Sequence, residues 1–169
     1  MASNAPGGAD GNPIMRQPSL KNRVHRPTLA DLYEKDEVAW LERSARLIRA
    51  GRAAELDFVH LSEFLRDMAQ AQKREVKSRL IQLIAHLLKW EHQPGKRTRS
   101  WHNSIIEQRR ELELLFETKT LRKHAGEVLG QVYAKAVAQA CAQTGLKAHE
   151  APDHCPYTLD ELFSFRIQR

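Results

Sequence analysis

The sequence has only two cysteines, Cys141 and Cys155, among its 169 residues. They are too few for a disulfide framework, and neither belongs to a CxxC pair of the kind found in zinc ribbons or thioredoxin-like centres. Long apolar runs are also missing, since no stretch approaches the roughly 20 residues that cross a bilayer. Residues 1–12 lack the apolar segment of a signal peptide. We therefore expect a cytoplasmic protein with no membrane partner.

Familiar catalytic patterns are absent as well. The sequence contains no Walker A, Rossmann, zincin or kinase motif. Its acidic residues include no pair whose spacing and surroundings would raise a pKa for acid-base chemistry. The sequence therefore predicts no cofactor, and it favours a non-enzymatic role without excluding catalysis.

The residues that are present suit amphipathic helices, with 41% apolar and 28% charged side chains. Residues 1–27 are rich in glycine and proline, have no apolar period, and carry four basic residues against one acid. We predict a disordered basic tail over 1–27 and one helical-bundle domain over 28–169. No segment has the period of a strand, so the predicted fold class is all-α, a single-domain bundle with antiparallel packing.

Capping residues divide this domain into five helical segments. The predicted N-caps are Thr28, Asp57, Ser100, Thr118 or Thr120, and Thr158. Capping boxes with Asp31 and Glu161 support the first and the last of these. Glycines predict where two helices end, at Gly51 and at Gly145.

One long helix is predicted at the centre of the bundle, between Asp57 and Gln93. Large apolar residues recur along one face of this helix as far as Met68, and they are missing from Gln70 to Arg74. Beyond Arg74 they recur again, but on a different face of the helix. We expect either a kink near this point or two helices with a tight join.

Several motifs resemble a known family when they are taken in order. They are His86-Leu87-Leu88-Lys89-Trp90, Gln93-Pro94, Arg97, Ser100-Trp101, Glu107-Gln108-Arg109 and, near the end, Cys155-Pro156-Tyr157. This order is similar to the signature of the bacterial domain of unknown function family numbered 29, over about residues 32–162. The resemblance implies an all-helical fold in the bacterial cytoplasm, and it transfers no activity.

The loop and helix start after Gly95 form the main candidate site. Free backbone N–H groups at a helix N-terminus favour an anion, and basic side chains cluster beside them. The net charge of +6 favours the same kind of partner. The candidate binding residues are Lys96, Arg97, Arg99, Ser100, Arg109 and Arg110. The alternative is a solvated face in which Arg110 pairs with Glu107 or Glu113.

Tryptophans beside this loop could stack on unpaired bases. However, Trp90 and Trp101 each fall on the apolar seam of a helix, so packing in the core is the preferred interpretation. His86 lies in an apolar run and is interpreted as a core histidine with a hydrogen-bond partner rather than a metal ligand.

The adjacent pair His154 and Cys155 is the remaining catalytic candidate, since a cysteine with a histidine can form an acyl-transfer nucleophile. Partners in such sites normally come from separate parts of the chain. We therefore interpret Cys155-Pro156-Tyr157 as a structural anchor.

Three functions remain open at this point. The leading hypothesis is a binding module that engages nucleic acid, or an acidic protein, through the basic strip over 96–110. The alternative is a protein-interaction or homo-oligomerising scaffold, in which the alanine-rich face over 134–142 packs on a second chain. An enzyme that uses His86 or the pair His154 and Cys155 ranks last.

Overall fold

The computed structural model describes residues 27–167. Within this range the chain forms six α-helices joined by loops and three single 3₁₀ turns, and no strand occurs there. The helices are α1 (Leu29–Lys35), α2 (Glu37–Arg49), α3 (Phe58–His92), α4 (Arg99–Phe116), α5 (Lys119–Thr144) and α6 (Leu159–Ser164). The all-α prediction is confirmed. The tail predicted over 1–27 lies outside the described residues, except for Pro27.

The described residues fall into two compact units, which divide between Asp57 and Phe58. The first unit contains α1 and α2, and the second contains α3 to α6. The single domain predicted over 28–169 stays a prediction. None of the helices within 27–167 is long and apolar enough to cross a membrane.

The first unit begins with the predicted capping box. Thr28 Oγ1 accepts a hydrogen bond from Asp31 N at 3.1 Å, and the Asp31 carboxylate accepts one from Thr28 N at 2.9 Å. The single helix expected as far as Gly51 is wrong, because the chain breaks at Asp36. The Asp36 side chain accepts from Ala39 N at 3.0 Å and so caps a new helix.

Helix α3 runs for 35 residues without interruption. The alternative of two joined helices is therefore wrong. Residues 70–74 lack large apolar side chains, but glutamine, alanine, lysine and arginine all have high helix propensity. Val76 is the first buried residue of α3, so the apolar residues beyond it are the ones that face the core. The kink expected near residues 70–74 stays a prediction.

The core of the second unit forms where α4 and α5 pack against α3. Ala136 and Ala140 are fully buried on α5, and such small side chains let two helices approach closely. Only part of the alanine-rich face is left for a partner, because Ala134, Ala138 and Ala142 are the alanines over 134–142 that remain exposed. The other fully buried apolar side chains described in this unit are Val76, Leu80, Leu83, Ile84, Ala85, Leu87, Leu88, Ile105, Leu112, Ala125 and Leu162.

The helix ends of the second unit follow the predictions closely, with one exception. Gly145 ends α5 with φ of 72°, and Thr158 caps α6 in a capping box. The exception is Ser100, which is not the N-cap of α4. Thr98 takes that position in extended backbone, and its hydroxyl accepts from Trp101 N at 3.2 Å. Thr98 and Ser100 can both cap a helix, and the backbone before Arg99 decides between them.

Candidate anion site at the start of helix α4

A cavity of about 410 Å³ lies between the end of α3 and the first turn of α4. It is lined by Trp90, Pro94, Arg97, Thr98, Arg99 and His102. The Pro94-Gly95-Lys96 turn joins the two helices, so a short loop brings its basic side chains next to a helix N-terminus. The loop and turn that carry Lys96, Arg97, Arg99 and Ser100 are called the α4 anion site below.

Backbone donors are available at this helix end. Thr98 caps the N–H of Trp101, whereas Arg99 and Ser100 occupy the first two helical positions and have no acceptor within the helix. The positive end of the dipole of an 18-residue helix lies at the same place. An anionic oxygen is the group that this arrangement favours.

Arg97 is held in a fixed position at the cavity wall. Its Nε donates a hydrogen bond to the Trp90 carbonyl at 2.8 Å, and its guanidinium lies 5.1 Å from the centre of the Trp90 ring. These contacts join the loop to the end of α3. They leave a charged, exposed guanidinium whose position is set before any ligand arrives.

Lys96 and Arg99 complete the basic group. Lys96 Nζ donates to the Thr144 carbonyl at 3.2 Å, at the negative end of α5. Arg99 is exposed, and its guanidinium has no partner within the described range. Arg99 is therefore the member of the site that is free to bind an anion.

The structure brings four of the six predicted site residues together, and it places Arg109 and Arg110 elsewhere. Arg109 donates from Nε to the Leu162 carbonyl and from Nη2 to the Phe165 carbonyl, each at 2.8 Å. Burial lowers the pKa of Arg109, and the nearby charge of Glu113 opposes that shift. This arginine fastens the end of α6 to α4.

Arg110 lies on the outer face of α4. Its side chain is 72% exposed and contacts the Glu111 carboxylate at 3.1 Å. Arg109 and Arg110 lie about ten residues after Arg99 in the same helix, which corresponds to roughly 15 Å along the helix axis. A ligand that reaches Arg110 must therefore extend well beyond the cavity.

The tryptophans serve the core, as predicted. Trp90 is only 3% exposed, and Arg97 lies over its ring. Trp101 is half-buried, and Lys89 Nζ lies 5.1 Å from its ring centre. Trp90 is therefore sealed from an approaching base, and Trp101 packs against the core with part of its surface exposed.

Two polar side chains near the site were not found from the sequence. Lys89 is 2% exposed, and its Nζ donates to Gln143 Oε1 at 2.7 Å. Burial lowers the pKa of Lys89. His102 packs its ring 5.9 Å from the Trp90 ring, and its Nδ1 is sealed from solvent with no hydrogen-bond partner in the part of the chain that the structure describes. The sequence could have indicated the burial of Lys89, because this lysine lies within the apolar run 87–90. No sequence pattern indicated the environment of His102.

A second cavity, of about 380 Å³, lies beside the other catalytic candidates. Both His154 and Cys155 line it. The Cys155 thiol donates to the Tyr157 carbonyl at 3.4 Å, and burial raises its pKa. A raised pKa reduces the thiolate fraction on which nucleophilic chemistry depends. These contacts support the interpretation of this segment as an anchor, which Tyr133 strengthens by donating to the Pro152 carbonyl at 2.7 Å.

The described residues contain no metal-binding cluster of acidic, histidine or cysteine side chains. No group of three or more histidine, cysteine, aspartate or glutamate side chains comes close enough there to hold an ion.

The first unit has a cavity of its own, of about 600 Å³, lined in part by arginines. Arg43 donates to the Pro27 carbonyl at 2.5 Å, and Arg52 pairs with Glu55. Glu42 adds a second carboxylate to the lining. This cavity has mixed charge and favours an anion less than the α4 anion site does.

His86 has the hydrogen-bond partner that was predicted for it. Its Nδ1 lies 2.8 Å from the Gln82 carbonyl, which fixes the proton on that nitrogen if the ring is neutral. Burial lowers the pKa of His86, and the charge of Lys89 lowers it further.

We expect His86 to make the stability of the protein dependent on pH in mildly acidic solution. Its pKa is lower in the folded chain than in the unfolded one, so the unfolded state binds more protons below about pH 6.5. The free energy of unfolding therefore falls as the pH drops through this range. Urea denaturation at pH 7.5 and pH 5.5 measures the fall, which should be smaller in His86→Gln. An identical pH dependence in both proteins would show that His86 is not responsible.

Comparison with known proteins supports the family resemblance. Residues 32–166 match the family model described as domain of unknown function DUF29. No curated protein and no solved structure matches the chain.

Proposed function

This chain belongs to the DUF29 family, whose description names no activity, and we propose from its own geometry that it binds nucleic acid through the α4 anion site. The observation that carries this proposal is the exposed Arg99 guanidinium, which has no partner among residues 27–167, beside the two uncapped N–H groups of Arg99 and Ser100. Arg97 adds a positive charge whose position is already fixed. Together these groups favour a phosphate.

The net charge of +6 supports a polyanion over a small isolated anion. Such a charge attracts a polyanion over long range and raises its association rate. Since Trp90 is buried and Trp101 packs against the core, the contacts proposed are with phosphates rather than bases. Phosphate contacts fix position but carry no direct sequence information. We therefore expect binding that depends strongly on salt and little on sequence.

We expect Arg99→Ala to weaken binding of a short labelled single-stranded DNA. Removal of one phosphate contact lowers the slope of log affinity against log salt concentration by about one. Fluorescence anisotropy over a salt series measures both the affinity and the slope. Arg97→Ala is a poorer first choice, because it also breaks the contact with the Trp90 carbonyl.

The matched control is Arg74→Ala. Arg74 is an exposed residue of α3 outside the α4 anion site, and its loss changes the net charge by the same amount. If Arg74→Ala weakens binding as much as Arg99→Ala does, binding reflects overall charge and the proposed site is wrong. If the wild-type protein does not bind DNA or RNA even at low salt, the proposed function is wrong, and acidic proteins become the next partners to test.

A further inference from the structure

The cavity at the α4 anion site has no acidic side chain among the lining residues that the structure describes, and two of these residues are arginines. The cavity of the first unit and the one between α4 and α6 both include carboxylates in their walls. Negative charge that enters the cavity at α4 is therefore attracted by the arginines and is not repelled by its wall. This charge distribution favours the more highly charged of two similar ligands.

His102 adds a hydrogen-bond donor to this cavity, which its side chain lines. Its Nδ1 is sealed from solvent and has no partner within residues 27–167, whereas Nε2 is not among the sealed atoms. A proton on Nδ1 would lack an acceptor, which places the proton of the neutral ring on Nε2. The Nε2–H group can then donate to an oxygen of a ligand in the cavity.

The donors at this site suit a terminal phosphate better than an internal one. They are the amides of Arg99 and Ser100, the guanidinium groups of Arg97 and Arg99, and Nε2 of His102. An internal phosphate of a strand carries a single negative charge. A phosphate monoester at a strand end carries about −1.5 to −2 charges near pH 7 and has three acceptor oxygens. The monoester therefore satisfies more of these donors and is attracted more strongly.

The cavity also has room for the end of a strand. Its volume of about 410 Å³ lies in the lower part of the range of roughly 300 to 1,000 Å³ that is usual for small-molecule pockets. Its walls come from the last turn of α3 and the first turn of α4. A strand end needs one opening between these walls, whereas a strand that continues past the site needs two.

We propose that the α4 anion site binds the terminal phosphate of a nucleic-acid strand in preference to internal phosphates. This inference rests on the proposed function and narrows its ligand to strand ends that carry a phosphate monoester. The amides of Arg99 and Ser100 and the Arg99 guanidinium contact the phosphate oxygens. Arg97 supplies charge in a fixed position, and His102 donates from Nε2. Internal phosphates bind more weakly at the same place.

Fluorescence anisotropy with labelled single-stranded DNA of about 12 nucleotides tests this preference. One strand carries a 5′-phosphate, a second carries a 3′-phosphate, and a third ends in hydroxyl groups. The charge control is a hydroxyl-ended strand that is longer by about two nucleotides, which matches the charge of the added phosphate. At least one phosphorylated strand should bind the wild-type protein about tenfold more tightly than this control does.

Three variants locate the preference, and circular dichroism checks that each is folded. Arg99→Ala should lower the preference to about threefold or less, because it removes a charged donor. His102→Phe keeps a ring that can pack on Trp90 but removes Nε2, so it should also lower the preference. Arg74→Ala is the matched control outside the cavity, and it should keep the full preference.

The inference is overturned if the wild-type protein binds the phosphorylated strands no more tightly than the longer hydroxyl-ended strand. The proposed function then stands, since the strands still bind. The inference is also overturned if folded Arg99→Ala or His102→Phe keeps the full preference, or if a nucleoside 5′-monophosphate competes as tightly as the phosphorylated strand binds. Absence of binding to every strand contradicts the proposed function itself.

Discussion

Replacing Arg109 with alanine lowers the free energy of unfolding by about 2 to 4 kcal/mol. The change removes two charged hydrogen bonds and leaves the carbonyls of Leu162 and Phe165 without their donor. These bonds also fasten α6, whose Leu162 is fully buried. We expect urea denaturation to show the loss, together with faster amide hydrogen exchange in α6.

The neighbouring arginine provides the control. Arg110 is 72% exposed and contacts only Glu111 within the described residues, so Arg110→Ala should change stability by less than about 0.5 kcal/mol. Equal losses in the two variants would mean that the bonds from Arg109 to the end of α6 do not stabilise the fold.

The second large effect is expected for Trp90→Ala, at about 3 to 5 kcal/mol of lost stability. Trp90 is almost completely buried, and its ring contacts both the guanidinium of Arg97 and the ring of His102. Loss of the ring leaves a hole beneath the α4 anion site. Denaturant unfolding followed by far-ultraviolet circular dichroism measures the change.

The control for this substitution is Ile106→Ala, since half of the Ile106 side chain is exposed and little apolar surface is lost. It should cost about 1 kcal/mol or less. A second readout concerns the role of Trp90 itself. Its indole fluorescence should not be quenched by single-stranded DNA, and strong quenching assigned to Trp90 would contradict its place in the core.

The sequence was sufficient for features that depend on local contacts. The capping boxes at Thr28 and Thr158 and the end of α5 at Gly145 each involve residues within one turn, so their patterns predict them directly. The apolar seam of α3 likewise predicted the burial of Trp90. The break at Asp36 was also local, but the apolar period across it, from Tyr33 to Trp40 and beyond, concealed it.

The hydrogen-bond partners of the charged side chains could not be predicted in the same way. Arg109 donates a hydrogen bond to a carbonyl of α6, more than 50 residues away in sequence, and Lys96 donates one to the Thr144 carbonyl at the end of α5. Both contacts depend on how the helices pack, and no spacing in the sequence reveals that. Arg97 and Arg99 are almost adjacent in the chain, yet one is fixed on Trp90 and the other is free.

The measurement that tests the central proposal most directly is an NMR titration of isotope-labelled protein with short single-stranded DNA at low salt. We predict the largest amide shift changes at Arg99 and Ser100, where the uncapped N–H groups lie, and little change at Arg74 and Arg110. Changes centred on another helix, or no changes at all, would contradict the assignment of the α4 anion site as the surface that binds nucleic acid.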